Sequence, residues 1–138
     1  MNVLVAVRHP VEAWTLPAEQ VARLRQRFPH VNFHHSTSRE TDLALAPEAD
    51  VCFVLGISEH ALRAAGRLRW LQCSAHAVQH IDLALLTARG VVVTNARGVQ
   101  AIPIAERLGL RVQVVERVSS SDQPVDTILS QSPGSETL

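Results

Sequence analysis

The chain has 138 residues, 46% of them apolar, and a formal net charge of zero that sets 13 arginines against 13 acidic residues. A single domain of this size buries about two-thirds of its unfolded surface, and a neutral chain gives no reason to expect nucleic acid as a partner. Lys and Tyr are both absent from the sequence, which excludes Schiff-base, lysine-base, phosphate-loop lysine and tyrosyl-acid chemistry.

The opening MNVLVAVRHPVE has no basic segment and only a short apolar run. Neither a signal peptide nor a membrane span of about 18 residues is expected, so membrane partners are not expected and the location is read as cytoplasmic. Val3–Val7 is a continuous apolar run, the pattern of a strand buried on both faces. Leu16–Arg27 places Leu16, Val21 and Leu24, with Phe28 just beyond, at helical spacing, starting near Pro17. Val31–His35 alternates and reads as a second, more exposed strand. Asp50–Leu55 is a third strand, and Ser58–Ala65 a helix with Ser58 as its N-cap. Trp70–Cys73 is a fourth strand, Asp82–Ala88 a short helix capped by Asp82, and Val91–Thr94 a fifth strand entered through Gly90. Gln100–Leu108 reads as a helix closed by Gly109, Arg111–Val118 as an exposed strand, Ser119–Pro124 as a linker, and Thr127–Gln131 as a last short strand before a frayed end.

Strands alternating with helices at these spacings imply right-handed crossovers and a parallel sheet. The expected fold is α/β, a flavodoxin-like parallel sheet flanked by helices, with a short C-terminal α+β extension. Ligands of such sheets bind beyond the carboxyl ends of the strands, where the loops Arg8–Val11, Gly56–Glu59, Ser74–Gln79 and Asn95–Gln100 lie.

The remaining constellations are sparse. No two of the 6 glycines are separated by a single residue, so no G-x-G-x-x-G turn exists for a pyrophosphate. Cys52 and Cys73 sit in apolar runs and read as buried thiols. Among the 7 histidines, adjacent His34 and His35 point to opposite faces of a strand. His76 and His80 would share a face only on a helix, where a loop is read; no metal is expected. Arg8 and His9 form either a cationic pair facing the cleft or a solvated loop. Arg23, Arg25 and Arg27 read as solubilising charge, and Trp14 and Trp70 as core or domain-edge packing.

The stretch LRWLQCSAHAVQHIDLALLTARGVVVTNARGVQAIPIAE, Leu68 to Glu106, resembles the end of the substrate-binding domain of the D-isomer-specific 2-hydroxyacid dehydrogenases. Ala75-His76-Ala77-Val78-Gln79-His80-Ile81-Asp82 stands where the family has a Ser-Ala-Gly-Val-Asp-His-Ile-Asp-like loop. The resemblance implies that the backbone N–H groups of His76, Ala77 and Val78 hold a substrate carboxylate, with Ala77 at the position of the family's glycine. Val93-Thr94-Asn95-Ala96-Arg97-Gly98 and Ile102-Pro103-Ile104-Ala105-Glu106 match the family's hinge, which implies that Arg97 and Ile104 lie next to the nicotinamide cofactor. The family's catalytic residues belong to a nucleotide-binding domain that this chain is expected to lack, so none is assigned. NAD is the family's cofactor, and none is expected to be retained by this chain alone.

Ala105–Leu138 resembles the later half of a PASTA module, through Ala105-Glu106-Arg107-Leu108-Gly109-Leu110-Arg111-Val112 and an S-Q-S-P-G pattern at Ser130–Gly134; Asp126 stands at the position of that family's last glycine. The expected domains are therefore 1–104, dehydrogenase-like, and 105–138, a partial PASTA-like extension. The resulting expectation is a truncated relative of NAD-dependent D-2-hydroxyacid dehydrogenases, an oxidoreductase by family. It binds at most a small 2-oxo or 2-hydroxy acid and is not catalytic alone. The alternatives are a non-catalytic module for cell-wall fragments and an interaction partner. Expected partners are a small carboxylic acid, and a second copy of the chain or an intact dehydrogenase subunit. The tail either docks on the sheet or is a frameshift or fusion scar.

Overall fold

The computed structural model describes residues 1–99 and 101–109. The chain runs β1 (Asn2–Ala6), α1 (Ala18–Arg27), β2 (Asn32–His35), α2 (Arg39–Leu45), β3 (Val51–Val54), α3 (Glu59–Ala64), β4 (Trp70–Cys73), α4 (Leu83–Ala88), β5 (Val92–Thr94) and α5 (Ala101–Arg107). The strands form one 5-stranded parallel sheet in the order β2-β1-β3-β4-β5. That is the doubly wound arrangement expected from the sequence. The strands and linker read beyond Gly109, and with them most of the PASTA-like extension, lie outside the described residues.

Side-chain alternation along each strand divides the core in two. On one face Leu4, Cys52, Val54, Leu71 and Cys73 pack with Leu62 of α3, Leu86 of α4 and the turn after α2. On the other, Val3, Val5 and Val51 pack with Val21 of α1, and Phe33, Phe53 and Leu16 close the edges. Helix α1 covers this second face through Val21. Beyond it Trp70 and Val92, paired across β4 and β5, remain 43% and 59% exposed.

The indole Nε1 of Trp70 donates to Thr94 Oγ1 at 2.7 Å, and that hydroxyl donates onward to Gln72 Oε1 at 2.6 Å. Trp70 is thus a surface ring laid over the edge of the sheet. Trp14 is 65% exposed, with its ring 4.5 Å from that of His9. Neither tryptophan is core, since both rings remain exposed among the described residues.

Helix α2 is the element the sequence reading did not anticipate. Ser38 caps it by accepting from the Thr41 amide at 3.1 Å. Its buried residue is a charge, Asp42, 2% exposed. Arg8 meets that carboxylate with both Nη1 and Nη2, at 2.8 and 2.5 Å, and also donates to the Ser36 carbonyl at 3.2 Å. Arg8 is therefore not half of an open cationic pair, since an internal carboxylate neutralises it. The two cysteines are free and buried, and burial pushes the Cys52 thiol up to about 12. No helix among the described residues is long and apolar enough to cross a membrane.

Candidate functional site

The candidate site is built by the chain leaving β4. The Ser74 amide still bonds to the Val54 carbonyl at 2.8 Å, continuing the ladder for one step. Three of the next four carbonyls are then taken internally. Ala75 O accepts from the Ala96 amide at 3.1 Å, and His76 O from the Asn95 side-chain amide at 2.7 Å. Val78 O accepts from the Ile81 amide at 2.9 Å, while Ala77 O has only a long contact at 3.8 Å with the Cys73 thiol, which lies nearer the Leu55 carbonyl at 3.6 Å. The amides from Ala75 to His80, those of His76, Ala77 and Val78 among them, have no acceptor among the described residues. The loop therefore ties most of its acceptors to the protein and leaves a run of donors for a ligand or solvent. Such a run of amides suits an anion without a cationic side chain.

Two further contacts hold the loop in place. His80 Nε2 lies 3.0 Å from the Leu55 carbonyl, which joins the ends of β3 and β4. The ring crosses Gly56 so closely that a Cβ there would stand 3.3 Å from His80 Cδ2. Below the loop, the hydroxyl of Ser74 is buried and has no hydrogen-bond partner among the described residues. An open pocket of about 270 Å³ adjoins the loop at Val78, lined also by Leu83, Val93, Thr94 and Asn95.

The structure thus gathers His76, Ala77 and Val78 on one loop, as the sequence suggested, and adds Asn95 as its brace. Asn95 was visible in the V-T-N-A-R-G motif, but its target required knowing that β4 and β5 are neighbours. Arg97 is exposed in the turn after β5, beside Gly98 at φ +82, and Ile104 is 55% exposed on α5.

The residues present do not fit a dinucleotide. Gly56, Gly66, Gly90, Gly98 and Gly109 stand singly, and among the described residues no glycine-rich turn leads into a helix to receive a pyrophosphate. Among the described residues no cluster of three His, Cys, Asp or Glu could hold a metal ion.

Residues 5–121 match the family described as D-isomer specific 2-hydroxyacid dehydrogenase, catalytic domain. Glyoxylate/hydroxypyruvate reductase HPR3 of Arabidopsis thaliana is 32% identical over 72 residues, which are 51% of this chain and 22% of that protein. The TT0316 protein of Thermus thermophilus superposes with a TM-score of 0.58 at 24% identity, over 78% of this chain and 34% of its own. TP0037 of Treponema pallidum, a D-lactate dehydrogenase, gives 0.58 at 18% identity, over 78% and 33%. Phosphoglycerate dehydrogenase of Lactobacillus plantarum gives 0.53 at 23%, over 78% and 33%. These three share the fold. The chain spans about a fifth of the length of the curated relative and about a third of the solved structures.

Proposed function

The chain belongs to the D-isomer-specific 2-hydroxyacid dehydrogenase family, and from that premise we propose that it binds the carboxylate of a small 2-oxo or 2-hydroxy acid on the amides of His76, Ala77 and Val78. One observation carries the reading: the carbonyls of Ala75, His76 and Val78 are engaged inside the protein, while the amides of His76, Ala77 and Val78 have no acceptor among the described residues. Each amide would donate a charge-assisted bond to a carboxylate oxygen. The Ser74 hydroxyl lies buried at the base of the loop, with no partner among the described residues.

Oxidoreductase chemistry in this reading is the family's, a hydride exchanged between the acid and a nicotinamide. This chain's contribution is to hold and orient the acid, and by itself it transfers no hydride. The dinucleotide would come with another domain or with a partner, an intact dehydrogenase subunit or a second copy. Arg97 and Ile104 are assigned to the cofactor side of the cleft by resemblance alone. A cytoplasmic setting goes with the two free thiols. The PASTA-like reading of residues 105–138 rests on the pattern at residues 130–134 and would be tested with muropeptide fragments.

The experiment is an amide NMR titration of the labelled chain with glyoxylate and hydroxypyruvate, the acids in the plant relative's name. Saturable shifts centred on residues 76–78 are expected at millimolar acid. A dispersed spectrum with no response at those amides overturns the reading.

A further inference from the structure

We infer that the acid held on this loop carries an uncharged, apolar side chain of about three to five carbons, seated in the pocket beside Val78; the inference rests on the carboxylate reading above. Val78 belongs to both features. Its amide is one of the loop's unengaged donors, and its isopropyl group lines the adjoining pocket. A ligand whose carboxylate sits on the amides therefore has its next carbons beside that pocket.

The chemistry of the lining selects the side chain. Val78, Leu83 and Val93 are apolar, and none of the described residues lining the pocket is charged. Its two polar residues are uncharged and partly engaged. The Thr94 hydroxyl accepts from Trp70 and gives its one proton to Gln72. One N–H of the Asn95 amide donates to the His76 carbonyl. A second carboxylate entering here would lose water and meet no cationic partner among the described lining residues. An aliphatic group loses nothing and buries its surface. One water occupies about 30 Å³ of liquid, so a pocket of about 270 Å³ accommodates several heavy atoms beyond the carboxyl.

Each buried methylene strengthens binding by about threefold to fourfold, so a branched acid should bind at least about tenfold more tightly than glyoxylate. The test titrates the full chain, with amides and methyl groups labelled, against glyoxylate, 2-oxobutanoate, 4-methyl-2-oxopentanoate and 2-oxoglutarate. Support is an affinity that climbs with aliphatic length, falls for the dicarboxylate, and moves the methyl signals of Val78, Leu83 and Val93 together with the amides. Leu83→Asn should then reduce the affinity for the branched acid about fivefold or more. If all four acids shift the amides with equal affinity and the methyl signals stay still, the pocket assignment falls and the carboxylate reading stands. If no acid shifts the amides, both fall.

Discussion

Arg8 and Asp42, 34 residues apart in sequence, meet as a bidentate pair that ties α2 to the end of β1. The two side chains are unequally buried, 24% exposed for Arg8 and 3% for Asp42. Removing a partner from a buried pair strands the other charge at a cost of about 3–5 kcal/mol, whereas an exposed charge loses little. Arg8→Ala should therefore destabilise by about 3 kcal/mol, and Asp42→Ala by clearly less, because a freed Arg8 can reach water. Urea unfolding of both variants checks the order. Equal losses would contradict the asymmetry.

Acid should weaken the N-terminal edge of the sheet. Asp50 accepts from the Asn2 amide at 2.8 Å and from Arg67 at 3.2 Å, and its carboxyl is held below the usual range, chiefly by the Asn2 amide. A depressed folded value contributes stability above the unfolded value of about 3.9 and loses it as pH falls through the lower folded value. Thermal melts between pH 6 and pH 2.5 should show a steeper acid decline for the parent than for Asp50→Asn. Parallel curves would show that Asp50 does not contribute to the slope.

Cys52 should resist thiol reagents in the native state. Burial pushes its pKa up to about 12, so at pH 8 the reactive thiolate is scarce as well as inaccessible. The sign follows: the neutral thiol's contribution to stability is complete below the unfolded value of about 8.5 and is lost as pH rises toward 12. A disulfide reagent at pH 8 should modify Cys52 only as fast as the protein opens, and denaturant should release it at once. Rapid native modification would contradict the packing of β3.

Asn95→Ala should weaken acid binding about tenfold while lowering stability by only about 1 kcal/mol. It removes the 2.7 Å bond to the His76 carbonyl, which fixes the loop and not the core. Ser74→Ala separates the same two quantities. Its buried hydroxyl has no partner among the described residues, so losing it should leave stability unchanged or slightly raised. Acid affinity should fall about threefold if that hydroxyl contacts the carboxylate. The NMR titration and a melt on the same samples measure both.

How much of this was legible beforehand depended on the range of each interaction. The five strands, α1, α3, α4 and α5 were readable because their patterns repeat within a few residues. Helix α2 was missed because its buried residue is Asp42, where an amphipathic pattern would place an apolar side chain, and because Pro47 follows closely. The fate of Arg8 was unreadable for the same reason, since its partner lies in the unrecognised helix. The loop after β4 was located correctly by resemblance, but the sequence could not show that Asn95 braces it.

The sequence alone determined the doubly wound sheet, the position of the amide loop at its carboxyl end, and the resemblance to the dehydrogenase family. All of these rest on local periodicity and contiguous motifs. Tertiary structure decided which carbonyls are used up and which amides are left, that Arg8 is neutralised by Asp42, and that Trp70 stays exposed beside Val92. Those outcomes depend on which strands become neighbours, a long-range pairing that no local pattern encodes.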